Sequence, residues 1–199
     1  MFDEPFRARF APAVAPVARR LARLGVTANA VTVASCLVGC GAAVLIGTGH
    51  PRLGIVTWII SRLGDGLDGV VARESGQSSA FGGYLDITLD MVAYAAMVLG
   101  FERLHPDVGI GWSAVLAAYI VVITTTLALS DAAQTAQRAV SATNRTFQFT
   151  RGLAEAGETT TMYILWVLFP SQVWWLVWVW VSALLITSSQ RTLLARRTL

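Results

Sequence analysis

Six apolar runs, at about 31–48, 53–72, 83–102, 109–132, 153–169 and 171–190, each approach the roughly 20 residues that a membrane-spanning helix needs. Backbone surrounded by hydrocarbon must satisfy its own hydrogen bonds, so runs of this length fold as helices. The expected fold is an all-α integral membrane protein with six transmembrane helices. Composition agrees, for 55% of the 199 residues are hydrophobic and the charges are too few to clothe a soluble globule of this size. No Pro/Gly/Ser linker, low-complexity tract or internal repeat divides the chain. Residues 27–199 therefore read as a single six-helix domain, and residues 1–26 as a juxtamembrane segment ahead of it.

That segment places Phe2, Phe6, Phe10, Val14, Val17, Leu21 and Leu24 at steps of three and four, with Arg7, Arg9, Arg19, Arg20 and Arg23 mostly off the stripe. The pattern predicts an amphipathic helix lying on the bilayer surface, its arginines against anionic headgroups. Pro12 and Pro16 predict a break, with a firmer helix running from Pro16 to Leu24. A cleaved signal peptide is a poor reading, since no small-residue cleavage pattern follows and five more apolar runs come after the first.

All 15 basic residues are arginine, so no lysine is available for Schiff-base or amine-nucleophile chemistry. With an even number of spans both termini share a side. The loops on that side hold Arg73, Arg138, Arg145 and Arg151 beside the terminal arginines, 12 of the 15 in all. The opposite loops hold Arg52 and Arg103, and Arg62 lies inside the second span. The positive-inside rule then predicts a protein of the cytoplasmic membrane with both termini cytoplasmic. Trp58, Trp112, Trp166, Trp174, Trp175, Trp178 and Trp180 fall in the span halves nearest the outer loops and read as an aromatic belt. Cys36 and Cys40, four apart in the first run, fit lipid or packing contacts better than a disulfide or metal site. The basic balance is read as lipid contact, with no nucleic-acid partner.

Against this apolar background stands the stretch from Asp65 to Asp90. Asp65 and Asp68 are three residues apart and Asp86 and Asp90 four apart, so each pair shares one face of its own helix. The residues between them form the turn. Folded side by side, the two helices would bring four carboxylates into one cup, with too few arginines nearby to balance them. Cations are therefore expected as part of the structure. Carboxylates are hard ligands, and with no Cys or His close by the fitting metals are Mg²⁺ or Mn²⁺, two divalent ions balancing four acids.

The residues Asp65, Asp68, Gly69, Ala72, Arg73, Gly82, Asp86 and Asp90 spell D-x2-D-G-x2-A-R-x8-G-x3-D-x3-D without a gap. This pattern resembles the signature of the CDP-alcohol phosphatidyltransferase family of integral-membrane phospholipid synthases. The resemblance implies transfer of a phosphatidyl or related group from a CDP-alcohol, CDP-diacylglycerol foremost, to an acceptor hydroxyl with release of CMP. It implies Asp65, Asp68 and Asp86 as metal ligands and Asp90 as the general base, with a metal contact of its own left open. A two-metal site clamps a diphosphate, offsets charge on the leaving phosphate and aligns the attacking oxygen. The nucleotide would lie against Asp68, Gly69, Ala72, Arg73 and Gly82, the glycines permitting close approach and Arg73 facing the diphosphate. Tight helix packing is the alternative reading of both glycines. Upstream, Thr27 to Thr32 resembles the family's TPNxxT-type segment with Ala28 in place of proline, adding Asn29 and Thr32 to the nucleotide pocket. The alternative there is that Thr27 or Asn29 caps the first spanning helix.

Arg138, Arg145 and Arg151 share the cytoplasmic loop between the fourth and fifth spans and are candidates to bind an acceptor that carries a phosphate. Topology and lipid contact account for a basic loop equally well. Asp131, Glu155 and Glu158 flank the same loop. No Ser, Cys or His stands beside the acids as an evident nucleophile, which favours direct displacement over a covalent intermediate. A divalent-cation transporter is the rival reading, since acids inside spans suit that function too. Clustering of the acids at one face favours the enzyme, and CMP release would separate the two. The acceptor and the oligomeric state, with a homodimer among the options, stay open at this stage.

Overall fold

The computed structural model describes residues 14–139 and 156–198, and all regular elements among them are helical. Helix α1 covers residues 14–23, α2 Ala28–Gly47, α3 Pro51–Glu74, α4 Ala80–Leu104, α5 Ile110–Ala139, α6 Ala156–Leu168 and α7 Val173–Thr198. Short 3-10 turns, Pro106–Val108 and Pro170–Gln172, lead into α5 and α7. Each starts with a proline, whose fixed φ and missing N–H suit a first helical turn.

Among the described residues, four stretches are long and apolar enough to cross a membrane: Ala28–Gly47, Ala80–Leu104, Ile110–Ala132 and Pro170–Arg197. These answer to four of the six expected spans. Helix α3, at 24 residues, has the length, but Arg52, Arg62, Asp65, Asp68, Arg73 and Glu74 dilute its apolar character. Helix α6 contributes 13 residues at the position of the fifth expected span. Phe2, Phe6, Phe10 and the Pro12 break lie outside the described residues.

Packing divides the chain at Gly109 into an N-terminal and a C-terminal unit. In the N-terminal unit α2 packs along both α3 and α4. Thr27 caps α2, its side chain accepting the Ala30 N–H at 3.2 Å. Small residues let these helices approach. A Cβ on Gly100 of α4 would strike the Ala43 carbonyl of α2, and one on Gly54 of α3 would lie 2.9 Å from the Ala42 carbonyl. Between α3 and α4 the chain turns through Gly76, at φ +66, a left-handed conformation that favours glycine. Ser79 then caps α4 by accepting the Gly82 N–H at 3.0 Å.

Helix α1 packs against the start of α2 and the last turns of α3. Ala18 is buried in a cluster with Ala28, Val70 and Val71, and Val14, Leu21, Leu67 and Ala72 pack around it. The opposite side carries exposed Arg19, Arg20 and Arg23, and Arg19 meets Glu74 at 3.4 Å.

The C-terminal unit is held by α5 against α7 and by an aromatic interior. Tyr119 and Tyr163 hydroxyls are 3.1 Å apart, and the Trp180 indole N–H donates to Tyr119 at 3.1 Å. Trp112 meets Trp166 edge-on at 5.1 Å between ring centres. This corrects the reading of all seven tryptophans as a belt. Trp58, Trp112 and Trp166 are 0% exposed and Trp180 2%, so they pack inside their own units, leaving Trp174 and Trp175 as the plainly exposed rings.

Candidate active site

The acids sit on the two helices that flank the Gly76 turn. Asp65 and Asp68 belong to α3, Asp86 and Asp90 to α4. Asp65, Asp68 and Asp86 each offer one carboxylate oxygen within 4.8 Å of the other two. Three hard oxygen donors so close together, in a largely apolar bundle, fit a divalent cation such as Mg²⁺ or Mn²⁺. Asp68 is buried and is held by Thr32 of α2, whose hydroxyl donates to Oδ2 at 2.6 Å. Thr32 also reaches the Ala28 carbonyl at 3.1 Å, which ties the site to the first turn of α2.

Asp90 keeps different company. Its Oδ1 is paired with the Arg62 guanidinium, and the same Arg62 Nη1 lies 3.5 Å from Asp65 Oδ2. The expectation of four carboxylates in one cup with too few arginines thus needs correcting in one respect. Three acids converge, and the fourth joins them through a guanidinium on α3. Arg62 is stacked 4.5 Å from the centre of the Trp58 ring and 5.4 Å from that of Tyr94. The signals that could have found it were present: a lone arginine in an apolar span, three residues ahead of Asp65.

The residues expected at the nucleotide pocket lie on the same three helices, α2, α3 and α4. A Cβ on Gly69 would lie 3.4 Å from Arg73 Nη1, so the exposed Arg73 side chain turns back over Gly69. A Cβ on Gly82 would lie 3.2 Å from Asn29 Oδ1, which brings the start of α2 to the start of α4. Thr27, not Asn29, caps α2, and Asn29 is left facing Gly82. Ala72 packs with the apolar cluster under α1. Arg138 lies in the last turns of α5, whereas Arg145, Arg151 and Glu155 lie outside the described residues. Asp131 is exposed on α5 and Glu158 half-buried on α6. Cys36 and Cys40 are both free thiols.

A family model for CDP-alcohol phosphatidyltransferase matches residues 25–188. Inner membrane protein YnjF of Escherichia coli (strain K12) is 31% identical over 177 residues, which cover 86% of this chain and 84% of that protein. Phosphatidylinositol phosphate synthase of Mycobacterium tuberculosis (strain ATCC 25618 / H37Rv) is 38% identical over 96 residues, 47% of this chain and 44% of that one. The crystal structure of the Mycobacterium tuberculosis phosphatidylinositol phosphate synthase in complex with manganese and citrate has the same fold, with a TM-score of 0.72 at 22% identity. That match covers 92% of this chain and 88% of the other. The same synthase with CDP-DAG bound superposes with a TM-score of 0.68 at 24% identity, covering 92% of each chain.

The chain belongs to the CDP-alcohol phosphatidyltransferase family. It is an enzyme of the class that transfers phosphate-containing groups, built into a membrane.

Proposed function

We propose that the protein transfers a phosphatidyl group from CDP-diacylglycerol to an acceptor hydroxyl and releases CMP, in a site that takes two divalent cations, Mg²⁺ or Mn²⁺. The observation that carries this reading is the convergence of Asp65, Asp68 and Asp86 oxygens within 4.8 Å at the meeting of α3 and α4. The cations would be held by these three acids, with Asp90 at the edge of the set, and would supply charge stabilisation for the diphosphate and the leaving CMP. Thr32 fixes Asp68; Asn29, Gly69, Arg73 and Gly82 line the approach of the nucleotide, and Ala72 backs them from the apolar cluster under α1. Asp90 accepts the acceptor's hydroxyl proton as that oxygen bonds to the lipid-bearing phosphorus and the anhydride bond to CMP breaks. Relatives named phosphatidylinositol phosphate synthase and archaetidylinositol phosphate synthase make a phosphorylated polyol the first acceptor to try. Arg138, Arg145 and Arg151 are the residues assigned to that phosphate.

The setting proposed is the cytoplasmic membrane, with six spans formed by α2 to α7, the site at the cytoplasmic face and both termini cytoplasmic. Residues 27–199 form the catalytic domain and residues 1–26 a surface segment in which α1 presents its arginines to headgroups. A homodimer is compatible with this arrangement.

The test is to offer the purified protein CDP-diacylglycerol, Mg²⁺ or Mn²⁺ and a panel of acceptors, following CMP and lipid products. Metal-dependent CMP release that requires a phosphorylated acceptor is the expected result. Alanine at Arg138, Arg145 and Arg151 in turn should raise the acceptor KM without raising that for CDP-diacylglycerol in at least one case. Metal uptake into proteoliposomes with no CMP chemistry would instead favour a transporter.

A further inference from the structure

A guanidinium sits about three turns into α3, and the reaction proposed above gives it no task. Arg62 has a side chain only 11% exposed. Its Nη1 is paired with Asp90 on α4 and lies 3.5 Å from Asp65 on its own helix. Nη2 donates to Ser61 Oγ at 3.2 Å, and the Ser61 hydroxyl in turn donates to the Ser35 carbonyl of α2 at 2.7 Å. Trp58 and Tyr94 present their rings to it at 4.5 and 5.4 Å. Helices α2, α3 and α4 therefore all contribute to its seat. A planar, weakly hydrated cation that forks onto carboxylates and stacks on rings is what such a seat suits, and lysine would not fill it equally.

We propose that Arg62 is the resident counter-ion of the acid cup: it positions Asp90 and competes with a divalent cation for Asp65. The geometry has two consequences. In the absence of a divalent ion, the guanidinium is the positive charge that lets Asp65 and Asp90 share a half-buried site. When a cation binds Asp65, Asp68 and Asp86, like charge repels Arg62 from Asp65 and leaves it to Asp90 alone. Asp90 is then held by a charge-assisted bond beside the cation set, aimed by α3 and the aromatic seat. The catalytic meaning of this arrangement rests on the metal-assisted transfer proposed above, but its test does not.

Mn²⁺ titration of the purified full-length protein in detergent, read by the EPR signal of free Mn²⁺, measures the competition directly. Arg62→Gln is expected to bind Mn²⁺ about tenfold tighter or more than the wild type, because a unit positive charge has been removed from beside a ligand oxygen. The same variant should unfold at lower temperature without metal and gain more from added Mn²⁺ than the wild type does. Arg62→Lys keeps the charge and should stay near the wild-type Mn²⁺ affinity. Unchanged or weaker Mn²⁺ binding by folded Arg62→Gln overturns the proposal. If that variant does not fold, the wild type carries the test. The ¹⁵N resonances of the Arg62 guanidinium, assigned by their loss in Arg62→Lys, should move as Mg²⁺ is added, and resonances indifferent to saturating Mg²⁺ would equally overturn it. Absence of transferase activity alongside the expected metal results would count against the reaction assigned above and leave the counter-ion standing.

Discussion

Asp90 and Asp86 are one helical turn apart on α4, yet their surroundings separate them: Asp86 joins the oxygen triad and Asp90 pairs with Arg62. In the proposed reaction this distinguishes a ligand from a base. Asp90→Asn is expected to lose about 10² to 10⁴ in turnover, the usual cost of removing a general base, while still binding Mn²⁺. Asp86→Asn should weaken Mn²⁺ binding by more, since it replaces an anionic ligand of the triad with a neutral amide oxygen. CMP release and Mn²⁺ titration on the two variants check both halves, and an Asp90→Asn enzyme with near wild-type turnover would sink the base assignment. At this scale the sequence was informative wherever spacing alone sets geometry. The pairs Asp65/Asp68 and Asp86/Asp90 follow from helical periodicity, and the Thr32 segment was marked by its pattern. The pairing of Arg62 with Asp90, 28 residues away on α4, is set by packing rather than spacing, although the place of Arg62 three residues ahead of Asp65 is plain in the sequence.

Among elements, the contact of α2 with α4 depends on a residue that has no side chain. Gly100 admits the Ala43 carbonyl where a Cβ would collide with backbone. Gly41, also helical, has nothing within 4 Å of the corresponding position. Gly100→Ala is therefore expected to cost about 1–3 kcal/mol as an overpacked contact, and Gly41→Ala to be neutral or stabilising by up to about 1 kcal/mol. Unfolding of each variant in detergent, by circular dichroism, tests the contrast; equal effects at the two sites would mean that the approach of α2 to α4 is not set by Gly100. Helix starts were legible to within about three residues, because a hydrophobic stretch and its breakers are local properties, whereas α5 and α7 run on past the expected ends at 132 and 190. Which face of each helix meets protein was not. Lipid tails are as apolar as leucine, so a span carries little amphipathic signal to separate buried from lipid-facing sides. Four tryptophans read as membrane anchors are interior for that reason.

For the whole molecule, the arginine distribution predicts an orientation. With 12 of 15 arginines assigned to one side, a cysteine at position 145 should resist a membrane-impermeant thiol probe in intact cells, and one at position 106 should react, both in a background lacking Cys36 and Cys40. The reverse pattern would invert the topology and separate the site from a cytoplasmic supply of CDP-lipid. The oxygen triad, Thr32, Asn29, Arg62 and the rings that seat it all come from the N-terminal unit, ahead of Gly109. Order of synthesis then becomes order of partnership. At ribosomal rates of about 5 to 20 residues per second, α3 and α4 are made several seconds before the last turns of α7, so their side chains can pair before the C-terminal unit is complete. Arg62 arrives on the same helix as Asp65 and ahead of Asp90. On the counter-ion role proposed for Arg62, the growing chain brings these acids a positive charge of its own before any metal ion is bound.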